Sequence, residues 1–278
     1  MGLRNFLKRL YWLMKKEKFF PVIQCTDEKQ LLKNKVALIV GGSGGIGLAI
    51  AKSFLQSGAR VIICGTSEKK LNTIYQSFSS EDRTCVKTVL LDLRETGKFR
   101  ELVERCFLLW GGVDVLVNCA GVHTDNVDFW TMTESEYERV MDINLKSVFF
   151  ICQTVAERMK NAGIKGHILL ISSTRGFEPA WSPYGISKWG LNGFVLGLSK
   201  IVLPYGIIVN GIAPGCTATR LIGVKKGDSL YTTENGLRRL VLPEEIAQYA
   251  KILASGLGDV LAGETIRLGV GRGVFDVR

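Results

Sequence analysis

Histidine is scarce in this chain. His123 and His167 are the only two, and they lie far apart. A His-based metal centre, which needs imidazoles gathered at ligand spacing, is therefore not expected. The seven cysteines (Cys25, Cys64, Cys85, Cys106, Cys119, Cys152 and Cys216) are odd in number and scattered, and none forms a C-x-x-C pair. They suggest neither a disulfide framework nor a zinc knuckle, and they read as reduced core thiols of a cytoplasmic protein. No stretch approaches the roughly 18 uncharged apolar residues of a spanning helix. There is no internal repeat or low-complexity tract. The basic surplus comes with no nucleic-acid-binding motif, so no nucleic-acid partner is expected.

What is present is a chain of 278 residues, 46% hydrophobic, with a net charge of +10. That is enough to bury a substantial core. Much of the positive charge sits in a leader. Arg4, Lys8, Arg9, Lys15, Lys16 and Lys18 face only Glu17 within residues 1–20. Leu3, Phe6, Leu7, Leu10, Tyr11 and Met14 recur there at helical spacing. Two readings stay open: a helix docked on the protein's own surface or on a sister subunit, or a basic segment giving weak contact with an anionic membrane surface. A secretory signal is not expected, because cations interrupt any apolar core and no small-residue cleavage site follows. Phe6 stands where myristoylation prefers Ser or Thr. The chain therefore divides into a basic amphipathic extension, 1–32, and one larger domain, 33–278.

Within that domain, apolar strands alternate with helices. Strands are expected at 36–40, 60–64, 85–91, 113–118, 166–172, 207–212 and 265–268. Helices are expected at 46–56, 69–78, 99–110, from Thr133 to about Asn161, and 183–203. Thr133 and Glu136 have the spacing of a capping box. Continuous apolar strands separated by helices imply a parallel sheet covered on both faces. The expected fold is α/β: a Rossmann-type, doubly wound, seven-stranded parallel sheet with helices on both faces.

The chemistry is carried by a constellation. Tyr184 and Lys188 stand four apart in Tyr-Gly-Ile-Ser-Lys, which puts them on one side of a helix. Ser173 lies eleven residues upstream of Tyr184. Gly41, Ser43, Gly45, Ile46 and Gly47 form a glycine loop after the first strand, suited to seating a pyrophosphate at a helix start. No single part suffices: Tyr11 and Lys15 repeat the Tyr–Lys spacing with neither a Ser nor a glycine loop nearby.

With Asp92, Asn118-Cys-Ala-Gly121, Asn144-Leu and Pro214-Gly215 in the same order, the chain resembles the short-chain dehydrogenases/reductases over about residues 33–271. It is most similar to the short form typified by 3-oxoacyl-carrier-protein reductases and sugar or polyol dehydrogenases. The resemblance implies roles. Tyr184 would be the general acid or base, its phenol acidified by Lys188, which also meets the nicotinamide ribose. Ser173 would bond the substrate oxygen, and Asn144 would hold a water in a proton relay. Asp92 and Leu93, and Asn118, Ala120 and Gly121, would line the adenosine side. Pro214, Gly215 and Thr219 would bracket the carboxamide. Val40 replaces the family's usual Thr, and Gly269 replaces the Asp of its C-terminal V-D-G-G. That ending packs between subunits in the family, so a homo-oligomer, dimer or tetramer, is expected.

Cofactor choice rests on the end of the second strand. NAD enzymes place a carboxylate there for the ribose hydroxyls. Here the run is Cys64-Gly65-Thr66-Ser67, so NADP(H) is favoured over NAD(H), with Thr66 at the 2′-phosphate. The expected activity is an NAD(P)-dependent oxidoreductase interconverting a small-molecule ketone and a secondary alcohol. Two alternatives share the fold: a nucleotide-sugar epimerase or dehydratase, and a non-catalytic cofactor-sensing regulator. Loop 174–183 and segment 216–241 should flank the substrate. Phe177 and Trp181 read as an apolar wall or as loop packing. Arg220, Lys225, Lys226, Arg238 and Arg239 read as a solvated lid or as contacts to an anionic substrate. His123, near the pocket mouth, reads as a surface loop residue or, as the lesser alternative, a catalyst.

Overall fold

The computed structural model describes residues 27–225 and 227–272. The leader expected over 1–20, with its decoy pair Tyr11 and Lys15, and Lys226 lie outside the described residues. Seven strands form one sheet: β1 (Val36–Val40), β2 (Arg60–Gly65), β3 (Val86–Leu90), β4 (Val115–Asn118), β5 (His167–Ile171), β6 (Ile208–Pro214) and β7 (Thr265–Leu268). Their spatial order is β3-β2-β1-β4-β5-β6-β7. Every pairing is parallel. The order reverses between β1 and β4, the switch point at which doubly wound sheets open a crevice beyond their carboxyl ends.

Alternation within the strands builds two cores. Val36, Leu38 and Val40 of β1 join one cluster, with helices α3 (Phe99–Trp110), α5 (Ser147–Asn161) and α6 (Pro183–Val202). Ala37 and Ile39 join the other, with α1 (Gly45–Gln56), α2 (Glu68–Gln76) and α7 (Pro243–Leu253). Helices thus cover both faces, as expected. Truncating a residue such as Ile39, fully buried here, costs about 2–5 kcal/mol.

Three details differ from the sequence reading. Helix α7 was not among the expected elements, although Pro243 stands in its first turn and Glu245 accepts from Leu242 N at 2.8 Å. The long helix is interrupted at Asn144, which resembles the Asn that breaks a helix locally in the family, but the break takes a whole π-turn: α4 (Glu134–Met141) runs into Asp142–Lys146 before α5. The capping box forms only by half. Thr133 accepts from Glu136 N at 3.2 Å, but the Glu136 carboxylate turns to Asp125 N and to Arg139.

Candidate active site

The glycine loop is fixed by contact as much as by conformation. Gly41 has φ +72°, and a Cβ there would lie 2.7 Å from Ala120 N. A Cβ on Gly47 would lie 2.5 Å from Gly41 O, and one on Gly45 would lie 2.8 Å from Thr219 Cγ2. The loop therefore touches both the end of β4 and the segment after β6. Val40, where a Thr was expected, packs in the core instead of bracing the loop by hydrogen bond. Gly44 caps α1 without a side chain, so the first-turn N–H groups are left for a ligand. Ser43 Oγ sits 2.7 Å from where Gly65 would carry a Cβ, which joins the loop to the end of β2. Ile46 is half-buried against the core. Thr66 is exposed, and Ser67 caps α2 through Lys70 N at 3.3 Å.

On the adenosine side, the Asp92 carboxylate is held by the Arg94 guanidinium, which keeps it below the usual carboxylate range. Leu93 is buried. Asn118 Oδ1 accepts from Ala120 N at 3.0 Å, whereas its buried Nδ2 has no partner.

The carboxyl end of β5 and the first turns of α6 assemble the rest. Ser173 lies two residues past the end of β5, and its Oγ accepts from Arg175 N at 3.2 Å. Pro183 opens α6, so Tyr184 emerges from the first turn. Lys188, one turn on, is buried and donates to Ile171 O at 3.0 Å. Its Nζ lies 5.7 Å from the centre of the Tyr184 ring. The buried Asn144 sits at the middle of the π-turn. Its Oδ1 accepts from Val122 N at 2.8 Å, and its Nδ2 donates to Val122 O at 2.9 Å and to Ser187 Oγ at 3.3 Å. A Cβ on Gly121 would stand 3.4 Å from Asn144 Oδ1 and 3.6 Å from Lys188 Nζ. Two strand ends, α6 and the π-turn therefore bring Gly121, Ser173, Tyr184, Lys188 and Asn144 together. π-turns of this kind recur at functional sites, because they displace one residue from the helical register.

Burial dominates the electrostatics of both Tyr184 and Lys188. Burial pushes Tyr184 up, opposed by the nearby Ser173 hydroxyl and the positive charges of Arg175 and Arg272. Burial also pushes Lys188 down to about 8. Desolvation disfavours the charged form of each group, and it is the largest influence on both.

This chain matches the family model described as short chain dehydrogenase over residues 35–228. The chain belongs to the short-chain dehydrogenase/reductase family. It is 35% identical to a 3-oxoacyl-acyl-carrier-protein reductase of Chlamydia muridarum, over 85% of this chain and 96% of that one. It is 33% identical to an acetoacetyl-CoA reductase of an Acinetobacter species, over 86% and 98%. A solved actinorhodin polyketide ketoreductase with NADPH superposes with a TM-score of 0.77 at 27% identity, covering 87% of this chain and 98% of that one. As a member of this family, the chain is an NAD(P)-dependent oxidoreductase.

The residues present fit the family's dinucleotide. The crowded glycines form a cradle that any side chain would fill, the α1 N-terminus is uncapped, and Asn118 keeps a buried donor unpaired. Pro214 closes β6, and Gly215 N donates to Leu268 O at 3.0 Å. Gly269, the family's Asp position, now has a reason: a Cβ there would lie 2.5 Å from Thr174 Cγ2, and Gly215 presses on its backbone. This chain carries a Thr after Ser173 and makes room for it with a glycine.

The segment after β6 also refines the lid reading. The two Arg239 nitrogens grip Glu245 at 2.7 Å each, which withdraws Arg239 from any anionic substrate. Arg220 and Lys225 are exposed. The Phe177 ring is covered by Arg267, and Trp181 is exposed.

The site contains residues that the sequence reading misjudged or passed over. His123 is not a free surface side chain: its ring stacks on Tyr184. Arg272 joins Glu178 at 3.0 Å and pairs with Glu234, drawing the tail after β7 to loop 174–183 and to the lid. Cys216 also sits beside the phenol. For His123, the signal was its place two residues after the Asn-Cys-Ala-Gly run. For Arg272, no local signal existed.

Proposed function

We propose that this chain is an NADPH-dependent reductase that converts a ketone to a secondary alcohol, and that 3-oxoacyl thioesters are the substrates to test first. One observation carries the reading: Ser173, Tyr184, Lys188 and Asn144 converge beside Gly121, at the end of the sheet where the glycine cradle opens. The bound nicotinamide supplies the hydride. Tyr184 gives its phenol proton to the substrate oxygen as negative charge develops there. Ser173 donates to the same oxygen and stabilises that charge. Lys188, with a pKa of about 8, stays mostly protonated at neutral pH, would meet the ribose, and as a cation favours the phenolate left when Tyr184 gives up its proton. Asn144, locked to both polar atoms of Val122, keeps the far side of the pocket rigid and orders a relay water. Positioned acid catalysis of this kind contributes about 10²–10⁴-fold.

NADPH is favoured because the end of β2 presents Ser43, Gly65 and Thr66 with no carboxylate, and because a relative of this fold was solved with NADPH. The thioester class is supported by two relatives, a 3-oxoacyl-acyl-carrier-protein reductase and an acetoacetyl-CoA reductase. The same reading keeps a basic N-terminal extension ahead of the catalytic domain, shorter than the expected 1–32 because Leu32 is fully buried in one of the domain's cores, and a dimer or tetramer as the working assembly. The test is NADPH consumption against β-keto thioesters, keto sugars, steroids and quinones. Fastest turnover with a non-thioester would replace the substrate class. Turnover with none of the four would remove the catalytic reading.

A further inference from the structure

We propose that His123 is a positioning residue for Tyr184: its imidazole, stacked on the phenol, holds the ring in the orientation that brings the hydroxyl to Ser173. The proposal rests on the acid role assigned to Tyr184 above.

The two ring centres lie 4.1 Å apart, with 22° between their planes. Stacking that close fixes a ring's plane as well as its place. Tyr184 needs such a partner because it leaves α6 in the first turn and is only half-buried.

The stack is built from its backbone outward. Val122, just before His123, is pinned by the two Asn144 bonds. The carbonyl of His123 itself accepts from Arg139 Nη2 at 2.7 Å. Arg139 is held by both Glu136 oxygens, at 2.7 and 2.8 Å, and reaches Asp125 at 3.2 Å. Glu136 in turn accepts from Asp125 N at 2.9 Å. This is where the missing half of the capping box went: Glu136 gives up the helix cap and clamps the loop that carries His123. Neither imidazole nitrogen makes a hydrogen bond among the described residues, so the ring is held by its backbone and by the stack.

The surroundings of the pair disfavour protonation of the imidazole. Burial, Lys188 and Arg175 push His123 down from its ordinary pKa, and Asp125 alone opposes them. Around the phenol stand Arg175, Arg272 and Cys216, and burial is the main influence raising it. The imidazole is part of that burial. Removing it should admit water to one face of the phenol and lower its titration midpoint.

The test compares His123→Ala, which removes the ring, with His123→Phe, which keeps a stacking ring of similar size. Two quantities are read: steady-state turnover of the NADPH-loaded enzyme, and the tyrosinate absorbance titration of the cofactor-free protein, each variant corrected by its own Tyr184→Phe counterpart. His123→Ala should lose about threefold to tenfold in kcat with little change in KM, and its phenol midpoint should fall. His123→Phe should restore both. Parent-like turnover and midpoint in His123→Ala would overturn the proposal. So would a His123→Phe protein as impaired as the Ala variant in both, because that would make the imidazole's chemistry, and not its face, the essential feature. If Tyr184→Phe alone keeps full turnover, the acid role fails, and the titration still reports whether the stack shields the phenol.

Discussion

The two ends of β5 carry opposite kinds of polar group. At its amino end, His167 is buried and bonds Asp259 at 3.0 Å. Beside it, Asp114 accepts from Val36 N at 2.8 Å and faces Lys35. Charges there have partners of opposite sign and backbone donors are satisfied, although His167 Nδ1 is buried without a partner. At the carboxyl end, Lys188 is buried with a carbonyl as its hydrogen-bond acceptor and makes no ion pair among the described residues. Asn118 keeps an unpaired donor, and Tyr184 has its phenol raised by burial. One end is built to stay folded. The other holds groups in states that water would relax, as sites intended for chemistry do.

Four substitutions can break or sharpen that contrast. The largest effect is expected at Tyr184. Tyr184→Phe keeps the ring, the stack and the cofactor cradle, and removes the proton. Turnover should fall by at least about 10²-fold with NADPH affinity nearly unchanged. A variant turning over near the parent rate would show that another group is the acid.

Next is the adenosine end of the same crevice. Thr66→Asp places a carboxylate where the 2′-phosphate is proposed to lie. NADPH should bind about tenfold more weakly or worse, with NADH much less affected. Calorimetric titration of both cofactors reads this directly. Equal weakening of the two would remove Thr66 from the phosphate site.

Lys188→Met should exchange function for stability. The lysine titrates near 8 in the folded chain, against an ordinary 10.5, so the folded state binds its proton less tightly than the unfolded state. Below about 8 the full penalty of burying the cation is present, and it fades as pH rises toward 10.5. The variant should therefore melt above the parent near neutrality, and the gap should narrow as pH increases. It should also lose turnover and bind cofactor more weakly. A melting difference that does not change with pH would show that Lys188 costs the fold nothing.

The smallest effect is expected at the opposite end. Burial lowers the His167 pKa despite Asp259 and Asp114, with Lys35 adding to the lowering. Below about 6.5, the unfolded chain takes up this proton more readily than the folded one, so acid erodes stability. His167→Gln cannot titrate. It should flatten that part of the stability–pH curve while changing neutral stability by no more than about 1 kcal/mol and leaving turnover alone. A marked loss of turnover would mean that the two ends of β5 are coupled.

Much of this was legible in the sequence. All seven strands stood out, the central ones because a strand buried on both faces must be apolar: β1, β4, β5 and β6 are buried at every position, whereas the edge strands β3 and β7 are partly exposed. The glycine loop, Ser173, Tyr184, Lys188 and Asn144 were legible by order and spacing, since a phosphate cradle and a helix-borne Tyr–Lys pair impose local patterns. What the tertiary structure alone decided is how distant side chains meet. It diverted Glu136 from capping its helix to clamping the loop of His123, laid that imidazole on Tyr184, and set Thr174 against Gly269. It also packed the unforeseen α7 against α1. Local spacing fixes which face of an element a residue occupies. Which partner waits there depends on the packing of elements far apart in the chain, and on desolvation, which no single residue carries.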